Sequence, residues 1–220
     1  MSEPPVVLLG AGGHGGVVLD TLLLTGRDVA GVCDPALEGN TTGPRGLPIL
    51  DEHRLPETHP PDHFALANGV GMLPGQATRR ALFERMTALG YAFTIVCHPR
   101  AIVADTAVLR PGAQIMAGAI VQNASEIGTG TILNTGAQVD HDCHIGNFAH
   151  VAPGAVLSGD VEIGEGAFVG AGAVVGHGVR IGRGAVVGAG AIILRDVPDR
   201  TRVVTPSTRN LAPHTGRGWE

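Results

Sequence analysis

The chain has 220 residues, 34 of them Gly, with one Trp, one Tyr and five Phe. A formal charge of −5 argues against a general nucleic-acid binder. No long apolar run and no charged-then-apolar leader stands in the sequence, so neither a membrane span nor a signal peptide is expected.

The first strand is predicted over residues 5–9 (PVVLL). Gly10-Ala11-Gly12-Gly13-His14-Gly15-Gly16 follows, then a helix ending near Gly26 whose Val17, Leu22 and Leu24 are expected to help cover a sheet. A second strand over 29–33 ends in Asp34. Strand, glycine turn, helix and strand make half of a Rossmann-like unit, in which glycines let a ligand approach the backbone and the helix N-terminus favours its phosphates. Asp34 reads either as an acceptor for a ribose or base, or as a solvated turn acid before Pro35. The unit is too short for a full dinucleotide fold.

Residues 41–61 read as loops around one short strand, 47–50. A further strand over 64–67 runs into Asn68-Gly69-Val70-Gly71, at the edge where ligands of open α/β sheets sit. A helix is predicted over 77–89, with Leu82, Met86 and Leu89 on one face and Gly90 as its stop. A last strand spans 91–96. The domain boundary is placed at His98-Pro99: an α/β Rossmann-like domain over 1–97, a solenoid domain over 98–210, and an untethered tail over 211–220.

The solenoid rests on a period of six. From Val103 to Ile193 every sixth residue is aliphatic, sixteen in all, with a small residue two places before most of them. A helix repeats near 3.6 and a flat strand near 2, so neither sustains this spacing. A short strand followed by a tight corner does. Three such sides close one triangular coil, and stacked coils pair as parallel strands about 4.8 Å apart. The three cysteines, Cys33, Cys97 and Cys143, show no metal or redox spacing and suit reduced thiols in a cytoplasm. Cys143 occupies a small-residue slot of the repeat.

His141 lies two places past inward Val139, at a corner, where its side chain can leave the coil and reach a cleft. A His near its normal pKa is suited to take a proton from an attacking amine. His144 and His150 each precede an inward aliphatic residue, so both point outwards on neighbouring faces. They cannot both meet one ligand within one subunit. His177 repeats the His141 corner two coils later and reads as a surface residue.

The glycine turn with His14, Asp34, His98-Pro99, the run Asn134 to Gly146 with His141-Asp142, and His150-Val-Ala-Pro-Gly together resemble the hexapeptide-repeat nucleotide-sugar N-acetyltransferases of the sialic-acid and bacillosamine type. The resemblance implies a left-handed parallel β-helix in a homotrimer with active sites at subunit interfaces. It implies acetyl transfer from acetyl-CoA, with no metal, to the amino group of a nucleotide-linked 4-amino-4,6-dideoxy sugar. GDP-perosamine stands first, a UDP-amino sugar is the alternative, and the setting is O-antigen synthesis in the cytoplasm. It makes His141 the general base and Asp142 its acidic support, here one methylene shorter than the Glu often found. Gly12, Gly13, His14, Asp34 and Gly69 would bind the nucleotide sugar. His150, Gly159, Ala171 and Ala189 would meet acetyl-CoA, with the Gly159 N–H as oxyanion donor. His14 would also come within reach of the sugar amine. Other readings are a γ-type zinc carbonic anhydrase using His141, His144 and His150, a protein that only binds a nucleotide sugar, and an O-acetyltransferase.

Overall fold

A computed structural model describes residues 3–205. The tail over 211–220, and Pro206 with it, lies outside the described residues. The N-terminal region holds a parallel sheet of β1 (Val6–Leu9), β2 (Val29–Cys33) and β3 (Ala65–Asn68), in the order β2-β1-β3. α1 (Gly13–Leu24) packs on it through Val18, Leu19 and Leu22. Val17 and Leu24, expected to help cover the sheet, are exposed, because the helix begins at Gly13 and turns its 15, 18, 19 and 22 positions inward.

The expected strand at 47–50 shrinks to one parallel bridge between Ile49 and Val32. After the short helix α2 (Leu55–Thr58) and β3, helix α3 (Thr78–Ala88) buries Arg79, Phe83 and Met86. This face is rotated from the expected one, and Leu89 is exposed. The strand predicted over 91–96 divides. Phe93 makes only a bridge to Leu66, whereas Val96–Cys97 already pairs with Gln114–Ile115 of the solenoid. Cys97 stands six residues before Val103, in the inward phase, so the coil starts earlier than its aliphatic pattern suggests.

From there the chain winds into a left-handed parallel β-helix of three sheets with seven, six and five strands. Register is kept at eighteen residues per turn, as in Ile132 opposite Gln114 and His150. From Ile115 to Ile193 every expected inward aliphatic residue is buried; Val103 and Leu109, at the open first turn, are half-buried. The last turn is shorter: Val197 faces Ile181 and Val203 faces Val187, so the six-residue phase ends after Ile193.

The outward residues differ sharply between faces. The first face carries Gln114, Ile132, His150, Phe168 and Val186, and the N-terminal region covers its beginning, burying Gln114 and Ile132. The second presents Ile102, Ile120, Gln138, Val156, Val174 and Ile192, an almost wholly aliphatic stripe with exposed ends. The third is charged, with Glu126, His144, Glu162 and Arg180. Met116 and Phe148 of the solenoid complete the two apolar clusters on either side of the N-terminal sheet. None of the described helices is long and apolar enough to cross a membrane.

Candidate active site

The glycine turn and the first solenoid face enclose a cavity of about 920 Å³. Gly12, Gly13, His14, Asp34 and Gly69 line it, and so do His150, Ala171 and Ala189. A Cβ built on Gly12 or Gly13 would meet nothing within 4 Å, so this backbone is open to a ligand. Gly69 is different. A Cβ there, or on Gly15, would fall 2.2 Å from the Gly10 carbonyl oxygen, so these two glycines are required by close backbone packing under the turn.

Asp34 has a defined local role. One carboxylate oxygen accepts from the Ala11 N–H at 2.6 Å and the other from the Ala36 N–H at 2.8 Å. It ties the glycine turn to the end of β2 while lining the cavity. His14 Nε2 lies 2.8 Å from Gln114 Oε1, and burial lowers the His14 pKa. His150 points out of the coil as expected, yet it is only 6% exposed, because the N-terminal region and Phe168 enclose it. Burial, then the nearby His14 and Arg79, push its pKa down to about 4, so it is neutral at pH 7. Asn134 Nδ2 donates to its Nε2 at 3.3 Å. The proton therefore sits on Nδ1, which among the described residues has no partner within hydrogen-bond geometry, although the Met72 backbone acts to raise the ring's pKa.

His141 stands elsewhere, at the corner between the second and third faces. Its Nδ1 is 2.7 Å from Asp142 Oδ2, and its backbone N–H donates to Asp140 Oδ1 at 2.8 Å. Asp142 sits in the left-handed region, at φ 58°, which brings its short carboxylate back to the preceding ring. The Asp142 hydrogen bond, with Asp140 and Asp160 adding their charge, raises the His141 pKa. With Nδ1 donating to the carboxylate, Nε2 keeps its lone pair, as a base requires.

Gly159 lies under this ring, where a Cβ would sit 2.7 Å from His141 Nε2. Among the described residues its N–H has no acceptor. Gly159→Ala is expected to push the ring aside and lower kcat on the order of 10²-fold, the cost of about 1 Å of misplacement. The melting temperature should hold, since the ring yields to solvent. Steady-state kinetics beside a thermal melt checks this; unchanged kcat would detach Gly159 from the site.

The expected site residues thus form two groups. The cavity ends at the corner between the first and second faces, where Ala171 and Ala189 lie. His141, Asp142 and Gly159 occupy the next corner, with the aliphatic face between the two groups. His144 is on the charged third face, 3.9 Å from Glu126. A groove of about 710 Å³ on that face contains none of the expected site residues. Among the described residues no group of three or more His, Cys, Asp or Glu could hold a metal ion. Sequence reasoning missed Arg79, Gln114 and any role for Asn134. The available signal was that Arg79 shares a helix face with Phe83 and Met86.

An α/β glycine-turn domain docked on a hexapeptide coil, with a histidine–carboxylate pair at a coil corner, defines a hexapeptide-repeat acyltransferase. Residues 5–86 match the PglD N-terminal domain, and residues 160–195 match the bacterial transferase hexapeptide (six repeats). The acetyltransferase domain of PglB from Neisseria gonorrhoeae, solved with acetyl coenzyme A, is 34% identical over 93% of this chain and 97% of its own, with a TM-score of 0.84. PerB from Caulobacter crescentus, solved with CoA and GDP-perosamine, is 34% identical over 93% of this chain and 95% of its own, at 0.82. WeeI from Acinetobacter baumannii is 26% identical over 91% and 96%, at 0.81. A search of curated proteins finds no match. The chain belongs to the PglD-type hexapeptide-repeat acetyltransferases, and it is an enzyme of that family.

Proposed function

We propose that this enzyme transfers the acetyl group of acetyl-CoA to the amino group of a nucleotide-linked 4-amino-4,6-dideoxy sugar, GDP-perosamine first among them, as a homotrimer with its active sites between subunits. One observation carries the reading: the cavity and the His141 corner lie at opposite edges of an exposed aliphatic face. Burying that stripe between copies is favoured by the hydrophobic effect. A cyclic contact through it brings the cavity edge of one copy to the His141 corner of the next. GDP-perosamine is favoured because PerB, solved with it, resembles this chain over nearly the whole length.

In this reading the nucleotide lies on Gly12, Gly13 and Asp34, and CoA runs along the small residues Ala171 and Ala189. His141 Nε2 takes a proton from the amine as its nitrogen bonds to the thioester carbonyl carbon. The Gly159 N–H stabilises the resulting oxyanion. As the carbonyl reforms, the C–S bond breaks and CoA leaves as a thiolate that takes up a proton. Asp142 orients the ring throughout. The product would serve surface-polysaccharide synthesis, and a cytoplasmic location suits both acetyl-CoA and the three free cysteines.

The test is acetyl transfer to a panel of GDP- and UDP-linked amino sugars, where turnover of the UDP sugars alone would overturn the assignment of a guanine nucleotide. Asp34→Ala frees the Ala11 amide and loosens the turn. The KM for the nucleotide sugar is expected to rise about tenfold, the worth of a charge-assisted hydrogen bond. The KM for acetyl-CoA should stay nearly constant. If acetyl-CoA binding weakens instead, the glycine turn is not the nucleotide site.

A further inference from the structure

A buried polar chain crosses the junction between the N-terminal region and the solenoid. Arg79 is 3% exposed, and among the described residues its guanidinium donates to carbonyl groups and pairs with no carboxylate. It donates through Nη1 to the carbonyls of Asn68 at 2.9 Å and Val70 at 2.7 Å, and through Nε and Nη2 to that of Gly130 at 3.3 Å. Burial brings its pKa down to about 9, so it remains a cation at neutral pH. The Asn68 side chain closes the loop, donating to the Arg79 carbonyl and accepting from the Val70 N–H. Gln114, 1% exposed on the first solenoid face, donates through Nε2 to the Asn68 carbonyl at 2.7 Å. Its Oε1 then meets His14 Nε2 at 2.8 Å.

This chain has one consistent set of protons. A carbonyl oxygen can only accept, so the Gln114 amide nitrogen must face Asn68 and its oxygen must face His14. That oxygen also only accepts, so His14 Nε2 must carry a proton. His14 Nδ1 is then a bare lone pair, and among the described residues it has no hydrogen-bond partner. His14 lines the cavity beside Gly12 and Gly13.

We propose that Gln114 is a positioning residue that fixes His14 in the Nε2–H tautomer, leaving Nδ1 to accept a hydrogen bond from an N–H or O–H of the amino sugar. Arg79 and Asn68 hold Gln114 in register from behind. The solenoid thereby dictates which hydrogen-bond role the nucleotide-side histidine offers. The inference rests on the amino-sugar reading above for its ligand, but not for its tautomer. A histidine free to exchange tautomers would present a donor to the same group part of the time and lose that contact.

The experiment uses the full-length oligomer labelled with 15N-histidine, His14 being assigned by the signal lost in His14→Asn. Protonated and bare ring nitrogens resonate far apart, so the tautomer is read directly. Wild-type enzyme without ligand should show a bare Nδ1 and a protonated Nε2. Addition of GDP-perosamine with CoA should shift the Nδ1 signal toward the hydrogen-bonded range. Gln114→Met keeps the volume and removes the acceptor. It should yield mixed tautomers and a fall of roughly five- to tenfold in kcat/KM for the amino sugar, the worth of one hydrogen bond. The KM for acetyl-CoA should be unchanged. A protonated Nδ1 in the wild type, an Nδ1 unmoved by the amino sugar, or a Gln114→Met enzyme with an unaltered tautomer would each overturn the proposal. If Gln114→Met does not fold, the two wild-type spectra decide alone. Wild-type turnover of GDP-perosamine is measured alongside, and its absence would overturn the substrate reading while the ligand-free tautomer still reports on Gln114.

Discussion

Replacing Ile145 by Asp is expected to unfold the solenoid and with it the proposed trimer. Ile145 is fully buried in the middle of the coil, stacked between Ile127 and Ile163 of the adjoining turns. The coil interior at this level is aliphatic, with Val139 and Val151 on the other two sides and no basic group within it. A carboxylate there is an unpaired buried charge, costing about 3–5 kcal/mol. That is a large share of the roughly 5–15 kcal/mol that holds a domain folded. Each turn of a solenoid is supported only by its neighbours, so a break in the middle separates the two ends. The N-terminal sheet should fail with it, because Met116 and Phe148 complete its two apolar clusters. His144→Asp, one residue away on the exposed outer side, is the control and should leave the melting temperature within a few degrees. Circular-dichroism melts and sedimentation velocity distinguish the two; a folded, oligomeric Ile145→Asp protein would mean that the inner and outer faces have been exchanged.

The same contrast explains what the sequence could reveal. A period of six assigns every residue of the coil to inside or outside, and the inward set from Ile115 to Ile193 is buried without exception. It does not say which outside is covered. Gln114, Ile132 and His150 are all in outward phase, yet all are buried, because the α/β region docks on that one face. Docking depends on contacts distant in sequence, such as Arg79 to the Gly130 carbonyl or Phe83 edge-on to Phe148. Helix faces failed for a related reason. In α3 the apolar pattern allowed Leu82, Met86 and Leu89, but the junction takes Arg79, Phe83 and Met86. An arginine whose neighbours are carbonyl groups leaves no pattern of charge to read. The His141–Asp142 pair was legible because both partners are adjacent in sequence at a corner whose phase the repeat defines.

His141→Asn should lower turnover by roughly 10²–10⁴, the usual share of a positioned general base. Asn keeps a polar tip of similar size at an exposed corner, so the coil and both ligand sites should survive; equilibrium binding of acetyl-CoA and of GDP-perosamine checks this. The pH profile carries the finer argument. Asp142, aided by Asp140 and Asp160, raises the His141 pKa, so imidazolium persists to higher pH and the acid limb of kcat/KM is displaced upward. Asp142→Asn removes the first of these causes, so the acid limb should move to lower pH while the plateau falls by less than in His141→Asn. A limb that stays in place in Asp142→Asn would mean that another group titrates. Because the cavity and His141 belong to different copies in the proposed assembly, mixing is informative as well. Chains carrying His141→Asn and chains carrying Asp34→Ala, co-expressed in equal amounts and assayed at low amino-sugar concentration, should form about one quarter wild-type sites by random pairing across a cyclic interface. A single-chain site would leave the mixture with no more activity than the average of its parents. Near wild-type turnover in His141→Asn, with both ligands still bound, would end the assignment of His141 as the base.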